Sequence, residues 1–333
     1  MAQTTITDIA KELNITPSTV SRALAGSSRV KKATRMLVEE KAKEMGYERN
    51  SMAANLRKGV ADIVGIIVPR INRQFFGSVI SGAESVLKEA GYSVIICQTH
   101  ERLEDEILAI KTMRRNQAAG ILISHSIESE NGEHIKDIIG DGTRLVQFDR
   151  IFSDLPGAKI VNDNFHGAYA ATKHLIDKGY TKIGHIAGYM NCEHYKQRLE
   201  GYAKALKDNG IMPDEKRIFY NSILRETGYE SGRKAIKAGC DAIYCSGDFS
   251  ALGAIEAAKD AGLSVPEDIG IIGTANEDFT ELMTPSISSL ELHPQEIGRQ
   301  AATAFLKKSE KRITVPMKLI IRESSEKTIT NKI

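Results

Sequence analysis

The spacing of apolar and polar residues changes near residue 62. Before it, apolar residues fall three and four apart in short bursts, the mark of amphipathic helices. In "TITDIAKEL", Ile6, Ile9, Ala10 and Leu13 share one face, with Thr5 at the N-cap, Asp8 at the capping-box position and Asn14 at the end. Thr16 then caps a second helix whose first position is Pro17. Val20 and Leu24 turn inward beside Ala23, leaving Ser18, Thr19, Ser21 and Arg22 on the outer side. A third helix is predicted from Lys32 to Met45, with Leu37, Val38, Ala42 and Met45 as its inner stripe and Gly46 as its left-handed stop. Asn50 can cap a fourth, "SMAANLRKG", ending at Gly59. It is too short and too poor in apolar surface to stand alone, so it is expected to form only when docked.

Beyond residue 62, apolar runs alternate with helical stretches. Strands are predicted at 63–69, 92–99, 120–125, 144–149, 159–163, 182–188, 242–247 and 268–275. Most are continuous apolar runs, as parallel strands buried on both faces require. Helices such as "SVISGAESVLKEAGY" and "DFSALGAIEAAKDAGL" lie between them and end at Gly91 and Gly262. This is doubly wound α/β architecture. About nine such units exceed one compact sheet, so two similar lobes are expected.

Charge sharpens the division. Residues 1–60 hold 11 Lys and Arg against 6 Asp and Glu, whereas the rest hold 34 against 37. A basic head on a slightly acidic body points to a polyanionic partner, although a solvated surface has the same composition. Cys97, Cys192, Cys240 and Cys245 form no CxxC pair and read as free thiols of a reducing compartment. No apolar leader opens the chain, and no run approaches the roughly 20 apolar residues of a membrane span. The expected location is therefore the cytoplasm. Nucleotide-binding, nucleophile-elbow and zinc-ligand phrases are absent, so neither catalysis, cofactor nor metal is expected. His185, inside an apolar strand, is read as a satisfied core residue.

Two capped helices with small hydroxyls and one arginine outermost fit a helix-turn-helix. The first would cross the DNA backbone and the second would enter the major groove. Hydroxyls reach phosphate oxygens, and an arginine can fork onto O6 and N7 of guanine. In the body, ligands are expected outside the carboxyl ends of the strands. Those ends carry Arg70 to Arg73, Thr99, His100, Asp149, Arg150, Asp163, Asn164, Gly247, Asp248, Asn276 and Glu277, with Phe75 and Phe76 nearby. Such a lining suits a polyhydroxylated ligand, and helix N-capping accounts for part of it.

Longer phrases carry a family resemblance. "TPSTVSRAL", "AKEMGYERNSMAANL", "GAESVLKEAGY", "VNDNFHGA", "LIDKGYTKIGHIAG", "QRLEGYAKAL" and "GDFSALGAIEAAKDAGLSVPEDIGIIG" together resemble the lactose-repressor family of bacterial transcriptional regulators. The resemblance implies a helix-turn-helix domain over 1–47, a hinge helix over 48–60, and a periplasmic-binding-protein-like body of type I over 61–333. It implies lobes over 61–161 with 291–321 and over 162–290 with 322–333, hence crossings near residues 162, 290 and 322. It further implies a homodimer on double-stranded operator DNA, nucleoid-associated, whose grip is set by a small-molecule effector, usually a carbohydrate. By motif match, Thr16, Thr19 and Ser21 would hold phosphates and Ser18 and Arg22 would face bases. Asn50 would cap the hinge, Leu56 would wedge the minor groove, and Thr5, Pro17, Arg29 and Ala53 complete the DNA-binding set. Effector candidates are Arg73, Phe76, Asp149, Arg198, Asp248 and Asn276. The chain departs from the family pattern at Arg49 (usually Pro), at Arg73-Gln74 (usually Asn-Pro), at Gly247 (usually Asn) and at Thr274-Ala275-Asn276.

Overall fold

A computed structural model describes residues 4–47, 61–139 and 143–327. The chain forms two compact units, Met1–Ala61 and Asp62–Ile333. The expected hinge, with Arg49, Asn50, Ala53 and Leu56, lies outside the described residues.

The first unit holds α1 (Ile6–Glu12), α2 (Pro17–Leu24) and α3 (Lys32–Glu44). Each boundary has a local cause. Thr5 and Asp8 complete a capping box, and the Thr16 hydroxyl accepts from the Thr19 N–H. Gly26 and Gly46 take positive φ beyond α2 and α3. Ile9, Ala10, Val20, Ala23, Val30, Val38 and Ala42 make the core. Leu37, expected inside, is 51% exposed. The small first two helices cover a stripe only wide enough for Val38 and Ala42, and Leu37 stands about 100° round the helix.

The second unit is two α/β lobes. The first sheet takes β1 (Ala61–Val68), β2 (Ser93–Gln98), β3 (Ala118–Ile123), β4 (Arg144–Phe148) and β5 (Ala158–Asn162). Among these strands run α4 (Gln74–Glu89), α5 (Leu103–Arg115) and α6 (Glu133–Ile139). The second sheet draws on β6 (Ile183–Ile186), β7 (Ile218–Phe219), β8 (Ala242–Cys245), β9 (Gly270–Ala275) and β10 (Ser288–Glu291). Its helices are α7 (Asn164–Asp177), α8 (Glu193–Asp208), α9 (Arg225–Lys237), α10 (Asp248–Asp260) and the short α11 (Phe279–Leu282). The chain then returns to the first lobe through α12 (Pro294–Leu306) and β11 (Arg312–Val315), and ends in the second with β12 (Lys318–Ile320).

Strand order is β11-β5-β4-β3-β1-β2 in one sheet and β12-β10-β9-β8-β6-β7 in the other. The β10–β12 pair is antiparallel, whereas β10 with β9 and β11 with β5 are parallel. Because β12 joins the second sheet, the third crossing falls between Val315 and Lys318, earlier than the expected 322. "RITVPMKLII" reads as one extended run, but Pro316 has no N–H for a ladder, and the run divides there into two strands. Likewise β10 extends to Glu291, so the second crossing follows it.

Both faces of each sheet are covered. Val79, Ala83 and Leu87 of α4 pack with Ile297, Ala301 and Phe305 of α12 on one face of the first sheet. Ala109, Ile110 and Met113 of α5 cover the other. The helices α4 and α12 meet closely: a Cβ on Gly82 would stand 2.2 Å from the Gln295 carbonyl oxygen, and one on Gly298 would stand 2.0 Å from that of Val79. The cysteines are unpaired; Cys192, Cys240 and Cys245 are buried and Cys97 is partly exposed.

Candidate nucleic-acid interface and effector cavity

On the head, the N-terminus of α2 gathers hydroxyls. Thr16 Oγ1 lies 2.9 Å from Ser18 Oγ and 2.8 Å from Thr19 Oγ1. Pro17, Ser18 and Arg22 are exposed, and Thr19 and Ser21 are half-buried on the same side. Arg29 is exposed in the loop after α2. The Thr5 hydroxyl already donates to Asp8 at 2.7 Å, so its first role is to start α1.

In the body, the carboxyl ends of both sheets converge on a cavity of about 120 Å³. The first lobe contributes Arg70 after β1, Arg73 and Phe76 at the start of α4, Glu101 after β2, and Asp149 and Arg150 after β4. The second contributes His194, Tyr195 and Arg198 of α8, Asp248 and Phe249 of α10, and Glu277 after β9. Of the expected effector residues, Arg73, Phe76, Asp149, Arg198 and Asp248 line it. Asn276 does not. Its amide nitrogen donates to Glu291 at 2.8 Å, and its oxygen accepts from Arg322 at 2.9 Å. Positive φ at Ala275 and Asn276 sets the backbone there, and Arg322 needs that acceptor. Glu101, His194, Tyr195 and Phe249 were missed. Helical spacing could have found Tyr195, one turn before Arg198, and Phe249 directly follows Asp248.

The charged groups are organised. Arg150 donates to both carboxylate oxygens of Glu101, at 2.5 and 3.3 Å. Arg198 donates to Asn164 Oδ1 at 2.9 Å and to the Ser246 carbonyl at 2.8 Å. The Arg73 guanidinium lies 3.6 Å above the Phe249 ring, across the cleft. Asp248 accepts from Ser289 Oγ at 2.6 Å and from the Glu277 N–H at 2.8 Å. Burial nevertheless pushes its carboxyl up to about 7, against those two bonds. Burial also raises Asp149, offset by Arg150 and Arg198. Burial, then the charges of Arg198 and Arg150, holds His194 well below the usual imidazole range. His185 lies stacked between Tyr202 and Tyr244 and bonded to the Tyr244 carbonyl at 2.9 Å, as a core residue.

Contacts bridge the lobes on both sides of the cavity. Gln74 Nε2 donates to Asp278 Oδ1 at 2.5 Å, and the Asp278 N–H donates to Gln74 Oε1 at 2.6 Å. Opposite, Arg312 pairs with Glu193 at 2.5 Å and Asn191 donates to the Ile127 carbonyl at 2.8 Å. At the crossings, Asn162 Nδ2 donates to the carbonyls of Leu292 at 2.8 Å and Val315 at 3.4 Å. Among the described residues, no group of three or more His, Cys, Asp or Glu is placed to hold a metal ion, and no helix is long and apolar enough to cross a membrane.

Comparison with known proteins places both units. Residues 5–50 match the bacterial regulatory proteins of the lacI family, and residues 172–325 match the periplasmic binding protein-like domain. The transcriptional repressor CytR of Escherichia coli K12 is 31% identical over 91% of this chain and 89% of its own. The chain belongs to the lacI family. Its lacI-type fold is that of the lac repressor dimer bound to operator and the anti-inducer ONPF, with a TM-score of 0.85, 20% identity, and 97% and 99% of the two chains covered. The regulator CelR in complex with cellobiose gives a TM-score of 0.73 at 23% identity, covering 97% and 100%. As a lacI-family member, the chain is a DNA-binding transcriptional regulator.

Proposed function

We propose that the effector site is the cavity between the two lobes, and that its occupancy sets the affinity of the head for operator DNA. One observation carries this: a polar, aromatic-lined cavity stands at the carboxyl ends of both sheets and draws side chains from both lobes. A ligand there touches both lobes at once, so it binds one lobe arrangement better than another. That difference in affinity is what allosteric control requires. A sugar or sugar derivative fits the lining, with Phe76 and Tyr195 for ring faces and the arginines and Asp149 for hydroxyls. CelR, with its cellobiose, supports the class.

On the DNA side we assign Thr16, Thr19 and Ser21 to phosphates and Ser18 and Arg22 to base edges, with Thr5, Pro17 and Arg29 beside them. The regulator acts as a homodimer, on the nucleoid in the cytoplasm, and senses its ligand rather than converting it. The operator-bound lac repressor dimer supports the assembly. The test is selection of duplexes from fragmented genomic DNA, followed by anisotropy titrations with and without sugars. Specific duplexes whose affinity moves at least fivefold with one sugar support the proposal. Selected duplexes that bind no better than random DNA refute it.

A further inference from the structure

The charge arrangement inside the cavity narrows the effector further; this step rests on the cleft being the effector site. Four guanidinium groups line it, Arg70, Arg73, Arg150 and Arg198, and four carboxyl groups, Glu101, Asp149, Asp248 and Glu277. The two sets are not equally free. Glu101 is taken by Arg150 and the Ile127 N–H at 3.0 Å, with Arg70 3.8 Å away. Both oxygens of Asp248 are taken within the second lobe. Burial raises Glu277, and the charge of Arg73 opposes that rise. Asp149 accepts a long bond, 3.3 Å from Ser124 Oγ, and stands 4.0 Å from Arg150 Nε.

The cations keep more donors than the protein fills. Arg198 is 4% exposed, yet both its bonds end on neutral oxygens, which leaves the Nη2 hydrogens for the cavity. Arg150 Nε is buried with no hydrogen-bond partner, its nearest carboxylate oxygen being Asp149 Oδ2 at 4.0 Å. Arg73 rests on an aromatic face, an arrangement that leaves the edge of its guanidinium available. These donors come from both lobes. A neutral polyol would leave desolvated cations poorly matched, whereas an oxyanion takes two forked donors at once. The size of the cavity also limits the ligand, since about 120 Å³ falls below the roughly 300–1,000 Å³ of drug-sized sites.

We infer that the effector is a compact carbohydrate bearing an oxyanion, a sugar acid or a sugar phosphate of one ring, with Arg73 and Arg198 on its anionic group. Arg73 is then the specificity-determining residue, at a position where the family pattern reads Asn.

The test uses the full chain in thermal-shift and calorimetric titrations at fixed ionic strength. The probes are D-glucuronate and D-gluconate for carboxylates, D-glucose 6-phosphate for phosphates, and D-glucose as the neutral reference. An oxyanion-bearing probe is expected to bind at least tenfold tighter than glucose, and the winning arm names carboxylate or phosphate. Arg73→Gln should cost that probe tenfold or more, and Arg73→Lys less. Glucose binding as tightly as the acids would overturn the inference and leave the cleft reading standing. Should no probe bind, native mass spectrometry of the chain equilibrated with a metabolite extract decides. A retained anion supports the inference, a retained neutral compound overturns it, and retention of nothing overturns both readings.

Discussion

Replacing Asp248 by Asn should reverse or level a pH dependence that the wild type carries. Asp248 is 1% exposed at the start of α10, and its carboxyl is pushed from 3.8 to about 7, with burial the largest cause. The unfolded chain therefore loses this proton near pH 4, while the folded chain keeps it until about 7. Stability from this group is complete below pH 4 and is lost as pH rises through 7. The full loss is about 4 kcal/mol, of which about 3 kcal/mol falls between pH 5 and 8. Asn cannot ionise. It keeps one of the two acceptor bonds and loses the other, a constant offset of about 1–3 kcal/mol at every pH. Relative to wild type, the variant should therefore gain about 3 kcal/mol on going from pH 5 to 8. For a body of this size that is roughly 6 °C in melting temperature, at about 2 °C per kcal/mol. Differential scanning calorimetry of both proteins at the two pH values measures it. A melting-temperature difference that stays the same at pH 5 and 8 would mean that Asp248 is already ionised in the native protein, and the reasoning from burial fails.

Further expectations follow from the same geometry. Arg22→Ala should weaken binding to a selected duplex by about 1–3 kcal/mol while leaving random-DNA binding nearly unchanged, read by fluorescence anisotropy; equal losses on both would remove the base-contact role. Gln74→Ala deletes both side-chain bonds to Asp278 and should shift the lobes toward opening by about 1–2 kcal/mol. Small-angle scattering should then give a larger radius of gyration without ligand, and an unchanged one denies the clasp its role. Gly298→Ala places a methyl 2.0 Å from the Val79 carbonyl oxygen and forces α4 and α12 apart. A loss of about 1–3 kcal/mol is expected by thermal denaturation, and a neutral result would contradict the close approach.

Much of this was legible because local signals and global fold agree. Thr5, Asp8 and Thr16 fix helix starts by hydrogen bonds within four residues, and Pro17 by its preset φ, so reading them needs no tertiary knowledge. Eight strands, β1 to β6, β8 and β9, were visible as apolar runs, which burial on both faces leaves in most of them. Strands β7, β10, β11 and β12 were not, for each takes its stability from a neighbour distant in sequence, as β11 does from β5. The cavity residues at strand ends followed from parallel-sheet topology alone. Asn276 was misplaced because its side-chain direction depends on positive backbone φ and on Arg322, 46 residues later. Leu37 was misplaced because helical spacing gives a face but not its width.

The single amide at Asn162 has a mechanical consequence. It ties the strand that leaves the first lobe to the segment that returns at Leu292 and to the one that leaves again at Val315. No one cord can slide without dragging its neighbours, so the lobes are left with rotation about one short axle. Displacement then grows with distance from that axle. Groups beside the ligand need travel very little, while the far ends of the lobes sweep a long arc, so the body works as a lever whose fulcrum is one buried asparagine.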